Sequence, residues 1–157
     1  MNPYLLPVLE FGPTIQKRLV SQIECGRLDE PTAPGRFSAK EAIAHLADWE
    51  PIALARMHQA IEKPGSTVEA FDEGEMAIAH GYAQTDIEEQ LRMYASRRST
   101  TAAFLRNLKD EDWGKAIHHP ERGVMTVADQ ANLLLGHDLY HIEQITTLLG
   151  EKTVSTW

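Results

Sequence analysis

The chain has 157 residues, 43% hydrophobic and 24% charged, the balance of a globular protein long enough to bury a core without disulfide or metal staples. Its formal net charge of −8, with no Lys/Arg block, excludes the basic stripe that nucleic acid or an anionic membrane would require. A single cysteine, Cys25, excludes an intrachain disulfide and reads as a semi-buried small hydrophobe. The amino-terminal stretch MNPYLLPVLEFGP lacks the charged start and cleavage site of a signal peptide, and no segment reaches the ~20 apolar residues of a membrane span. A cytoplasmic location is the expectation.

The first helix is expected within Tyr4 to Cys25, from Leu5, Leu9, Ile15, Leu19 and Ile23, with Pro7 and the Gly12-Pro13 pair bending or delaying it. The second starts at Ser38-Ala39-Lys40-Glu41, a hydroxyl followed three residues later by a carboxylate. Its apolar positions Ile43, Leu46, Trp49, Ala53 and Met57 keep the 3.6-residue period until Lys63-Pro64-Gly65. A connection of roughly 20 residues follows, long for a helical hairpin and sufficient for a crossover, with a helical turn near Glu75 to Ala79. The third helix starts at Thr85-Asp86-Ile87-Glu88 and carries Leu91, Tyr94, Ala102 and Leu105 inward. Lys109 to Met125 is a second long connection, with Pro120 and Gly123 as turn formers, of the kind that covers a site. The fourth helix starts at Thr126-Val127-Ala128-Asp129 and closes at Gly150. Four amphipathic helices and no assigned strand predict an all-α fold, a four-helix bundle in one domain spanning 1–157.

Seven histidines are present: His45, His58, His80, His118, His119, His137 and His141. His137 and His141 stand four apart on an apolar helix, so their rings share one face and can meet at one ion. Two readings stay open on spacing alone: core imidazoles satisfied by carboxylate, carbonyl or water, or half of a metal site. The zinc-peptidase motif His-Glu-x-x-His is excluded because Asp138 follows His137, and paired Glu-x-x-His repeats of di-iron bundles are lacking. His45, inside the apolar stripe of the second helix, is the best third ligand. His58 reads as solvated, His80 and His118 as loop residues, and His119 as a possible lid residue. Asp138 is a candidate to orient His141, Asp48 to orient His45, and Gln144 to bond a water at the ion; Glu50 can instead pair with a base on a later helix. Trp49 and Trp113 read as core and loop anchors. Pro51 is expected to loosen the second helix near Ala47.

PGRFSAKEAIAHLADWE, Pro34 to Glu50, and DWGKAIHHPERGVMTVADQANLLLGHDLYHIEQI, Asp112 to Ile145, resemble the DinB-like superfamily of metal-binding four-helix bundles. The pattern of a second-helix His followed by Leu and a fourth-helix His-x-x-x-His falls on His45, His137 and His141; Phe37 stands where such proteins often have Trp. The resemblance implies that these three histidines hold one divalent metal, with Zn, Ni, Fe or Mn all compatible with imidazole. It implies an up-down-down-up bundle, with long connections between helices 2 and 3 and between helices 3 and 4, and frequent homodimers. Members of the wider superfamily include maleylpyruvate isomerase and S-transferases that use low-molecular-weight thiols. The implied function is a metal-dependent enzyme that activates a small thiol or water for transfer to an electrophilic small molecule. The alternative is a non-catalytic metal-binding bundle with an interaction or stress-response role. No catalytic side chain is assigned.

Overall fold

The structure, a computed structural model, describes residues 2–150, so both ends of the expected 1–157 span lie outside it. Five helices carry the fold: α1 (Leu5–Val20), α2 (Ala39–Glu62), α3 (Glu73–Ala79), α4 (Ile87–Arg106) and α5 (Val127–Thr146). No helix among the described residues is long and apolar enough to cross a membrane.

Two of the three expected helix starts form as capping boxes. The Ser38 and Thr126 hydroxyls accept from the N–H groups of Glu41 and Asp129, whose carboxylates accept from the cap N–H in return. At the third start the cap moves one residue. Asp86 accepts from the Glu89 N–H at 2.8 Å, and the Thr85 hydroxyl donates to the Tyr82 carbonyl instead. A carboxylate meets the positive end of the helix with a full charge that a hydroxyl lacks.

None of the three prolines in the helices breaks its helix. Pro7 falls in the first turn of α1, where an N–H would have no intrahelical acceptor. Pro13 deprives the Leu9 carbonyl of its donor, and Arg98 Nη1 supplies one at 2.8 Å. Pro51 does the same to Ala47 in α2, and Arg97 Nη1 takes that carbonyl at 2.7 Å. Two adjacent arginines on α4 therefore take up the carbonyls that Pro13 and Pro51 free, and both helices continue through their prolines.

The sequence assigns no strand, yet β1 (Ala116–His119) and β2 (Gly123–Thr126) form an antiparallel hairpin with Ile117 opposite Met125. Inward Ile117 and His119 alternate with outward His118 over only four residues, too short a pattern to stand out. The connection after α2 pairs with the hairpin's free edge: Gly65 and Val68 donate to the Ala116 and His118 carbonyls, and the His118 N–H donates to Ser66. Both long connections are thereby tied together over one end of the bundle. Cys25 is exposed in a short 3-10 turn, Cys25–Arg27, which corrects its expected partial burial; Ile23 takes the core position there.

Helix α2 lies against α4 and α5, and α1 lies against the same two. Contacts between α2 and α4 run Ala47 to Arg97, Glu50 to Thr101 and His58 to Phe104. Two apolar clusters fill the interior. One contains Leu9, Trp49, Met57, Leu105 and Leu134, the other Val20, Ile43, Leu91, Tyr94 and Ile145. Every long helix crosses from one cluster to the other near its middle, and the residues at that waist are polar.

Arg98 sits in the waist with its side chain 2% exposed. Its guanidinium donates to Asp138 at 2.6 and 2.9 Å, to Glu50 at 2.7 Å and to the Leu9 carbonyl, so one cation touches α1, α2 and α5. Tyr94 donates to Asp138 and Thr101 to Glu50, each at 2.7 Å, filling the remaining lone pairs that burial would otherwise leave costly. Gly12 gives this cluster its room, since a Cβ there would stand 2.4 Å from Asp138 Oδ2 and 3.1 Å from the Tyr94 hydroxyl. Gly12→Ala gains up to about 1 kcal/mol of helix propensity. Overpacking against a carboxylate locked by Arg98 costs about 1–3 kcal/mol, so net destabilisation is expected in urea unfolding. A stabilised variant would mean that Asp138 shifts freely.

Candidate metal centre

The histidines occupy the same waist. His45 sits on α2, where a stripe of alanines (Ala42, Ala44, Ala47) lets neighbouring helices approach, and it is fully buried; His141 on α5 is 2% exposed and His137 partly exposed. His45 Nε2 lies 3.0 Å from His137 Nε2, and His141 Nε2 lies 3.1 Å from it. One ligand atom from each ring falls within 4.8 Å of the others, a grouping able to hold a metal ion.

The proton positions follow from the partners. Gln144 Oε1 accepts from His141 Nδ1 at 2.7 Å, and its own Nε2 donates to the Phe37 carbonyl at 2.8 Å. That chain puts the His141 proton on Nδ1 and leaves the Nε2 lone pair facing the other rings. Burial, above all, pushes His45 down to about 3, with the nearby His141 adding to the effect. Burial takes His137 to about 2 and His141 to about 4, the Gln144 hydrogen bond opposing the latter shift. Three neutral imidazoles result, the protonation state that metal ligation requires. Three Nε2 atoms converging on one point cannot all be satisfied by one shared proton, whereas a cation accepts every lone pair. The residues present therefore fit one borderline divalent ion with a position left over.

Two of the other candidate residues, Asp138 and Asp48, have different roles from those expected. Asp138 turns from His141 to Arg98 and Tyr94, and Gln144 takes the orienting role expected of Asp138. Asp48 does not orient His45; it bonds His80 at 2.6 Å and Arg97 at 3.1 Å. These partners, together with burial, which opposes them, leave its carboxyl below the usual range. Glu50 does pair with a base, Arg98. His58 is exposed against Phe104, His80 and His118 are exposed, and His119 is only 3% exposed, in the wall of a cleft. Trp113 is a buried loop anchor, while Trp49 is both core and wall, its ring 5.7 Å from His45 and 5.6 Å from His137. Arg98, the buried cation beside the site, has no distinguishing pattern in the sequence, because α4 also carries Arg92, Arg97 and Arg106. Gly12 and the two prolines were the available signals.

Fold and site together define a helical bundle with a three-histidine cluster at its waist. Residues 10–145 match the model of the DinB superfamily, and the chain belongs to that superfamily. It is 26% identical over 144 residues to a protein of Oceanobacillus iheyensis named "Putative metal-dependent hydrolase", covering 92% of this chain and 83% of that one. It is 24% identical over 144 residues to the Bacillus subtilis protein YfiT, which bears the same name, covering 91% and 81%. The solved structure of YfiT, described as having an unusual four-helix bundle topology, superposes with a TM-score of 0.86 at 23% identity over 92% of this chain and 83% of that one. A mycothiol-dependent maleylpyruvate isomerase superposes with a TM-score of 0.70 at 16% identity, over 90% of this chain and 59% of that one. These likenesses extend the family's fold to this chain.

Proposed function

We propose that the protein is a divalent-metal-dependent enzyme in which His45, His137 and His141 hold one ion that activates a small thiol or water for transfer to an electrophilic small molecule. The observation that carries this reading is the convergence of three neutral Nε2 atoms at a partly open point beside a cleft. The names of the relatives favour water as the activated group, and the mycothiol-dependent neighbour favours a thiol. Any such thiol comes from outside the chain, since Cys25 lies in the turn beyond α1.

When bound, the ion supplies a Lewis acid at neutral pH. His141 is held in one tautomer by Gln144, and Trp49 shields the ring of His137 from bulk water. The same reading takes the four long helices as up-down-down-up, supported by the rising contacts of α2 with α4. It takes the chain as one domain, cytoplasmic, acting on a small molecule and not on nucleic acid or membranes. A homodimer is supported by the exposed apolar stripe Tyr4, Val8, Phe11 and Ile15 along α1.

Metal analysis of untagged protein is expected to find one equivalent of Zn, Ni, Fe or Mn per chain, and His45→Ala is expected to lose it while remaining helical by circular dichroism. Stoichiometric metal without metal-dependent turnover of thiol or ester electrophiles would favour a non-catalytic metal bundle. No metal at all would sink the proposal.

A further inference from the structure

Arg56 differs from the other deeply buried cation. At 7% exposed it belongs to the interior, yet among the described residues it makes none of the ion pairs, whereas Arg98 has two carboxylates. Its one hydrogen bond there is from Nη2 to the Glu69 carbonyl. The guanidinium lies 5.4 Å from the Trp49 ring and 5.6 Å from the Phe71 ring, held by aromatic faces and left without a counter-ion. Burying a guanidinium this way is costly unless an anion joins it.

A second group, in a small space that Arg56 also lines, is unsatisfied too. Gln130 is 4% exposed, and both its amide Nε2 and Oε1 lack a hydrogen-bond partner among the described residues. Gln130 and Arg56 share a space of about 10 Å³ with Trp49 and His119, near the minimum for one water. Trp49, Arg56 and His119 also wall a wider cleft of about 350 Å³. His119 Nδ1 accepts from the Glu121 N–H at 3.2 Å, which leaves the proton of the neutral ring on Nε2. The cleft's acids, Asp72, Glu73 and Glu121, are all exposed, and so is Arg122. A planar carboxylate group suits one buried guanidinium with neutral donors beside it, whereas the exposed acids disfavour a compact group that concentrates two charges, such as hydrogen phosphate.

The cleft adjoins the histidine cluster. The Trp49 indole separates Arg56 from His137, and Leu133, one turn before His137 on α5, lines the small space behind Arg56. We propose that this cleft binds a carboxylate of the small-molecule substrate, with Arg56 as its ionic partner and His119 Nε2 as a further donor, the Gln130 amide acting through a water in the small space it shares with them. The substrate is then an organic acid whose reacting atom lies beyond Trp49, at the histidines. This assignment rests on the metal-enzyme reading for its reaction, and on Arg56 and Gln130 for its site.

Calorimetric titration of the purified protein with succinate, dimethyl succinate and inorganic phosphate tests it, with metal content measured on the same samples. Succinate is expected to bind saturably and the uncharged diester not at all. Arg56→Gln should weaken succinate by about tenfold or more, and Arg56→Lys by less, because the lysine keeps the charge without the fork. Gln130→Leu should weaken succinate without lowering the melting temperature, an outcome that a core spacer would not give. No saturable succinate binding, undiminished binding in both Arg56→Gln and Gln130→Leu, or tighter binding of phosphate than succinate would each overturn the carboxylate site. Failure of the metal reading shows separately, as protein that binds succinate but carries no metal.

Discussion

Arg98→Met is expected to destabilise the fold by about 3–5 kcal/mol, the usual result of removing one partner from a buried ion pair. Methionine fills most of the volume, so the loss is electrostatic: Glu50 and Asp138, both nearly inaccessible, would face each other without a cation. The Leu9 carbonyl freed by Pro13 would also lose its donor, leaving α1 with an unsatisfied group at its middle. The variant's pH dependence gives a sharper signature. Stranded carboxylates have raised pKa values in the folded state, so folding takes up protons and stability rises as the pH falls from 7 toward 5. Combining Arg98→Met with Glu50→Gln and Asp138→Asn removes the stranded charges and should recover much of the loss. A destabilisation below about 1 kcal/mol would place the network among weak surface pairs and refute its structural role.

The native protein, stripped of metal, should respond to acid in the opposite direction. Its three clustered histidines are pushed down to between about 2 and 4 in the fold, while an unfolded chain titrates them near 6.5. Below pH 6.5 the unfolded chain binds protons that the folded chain refuses, so stability falls with pH. The loss continues until the folded values are reached. With up to three protons involved, the slope approaches about 4 kcal/mol per pH unit. Urea midpoints in chelator at pH 7, 6 and 5 measure it, and His137→Gln should flatten the curve by removing one site. A divalent ion held by the folded state alone would oppose the loss, by about 2.7 kcal/mol at a hundredfold excess over its dissociation constant. Constant stability between pH 7 and 5 would mean that the rings accept protons where they lie.

The elements legible in the sequence were those with a long repeating signal. Ser38 with Glu41 and Thr126 with Asp129 announced α2 and α5, and the 3.6-residue stripe did the rest. His137 and His141 were legible as a pair because a helix fixes their separation. His45 comes from 92 residues away, and no local rule connects it to them; it was found through its apolar stripe and through family resemblance. The orienting residues were misassigned because sequence distance along a helix does not decide between competing partners. Asp138 and Gln144 both stand within reach of His141, and Arg98, from α4, claims Asp138. The hairpin, with four residues per strand, is too short to stand out from its neighbours as a pattern, and nothing in the sequence around Arg56 marks it as buried.

The waist has a consequence for the order of events during synthesis. Arg98 reaches partners 89, 48 and 40 residues away in the chain, and His45 meets His137 across 92. Contacts this distant slow folding relative to a bundle whose successive helices form simple hairpins. Both α5 histidines and Asp138 leave the ribosome after α1 to α4, so a nascent chain holding those four helices has His45 without its companions and Arg98 with Glu50 and the Leu9 carbonyl but without Asp138. The ion-pair layer and the histidine cluster are completed by the same final helix. A partly made chain therefore lacks the three-histidine site, and any metal binding there would wait for the finished fold.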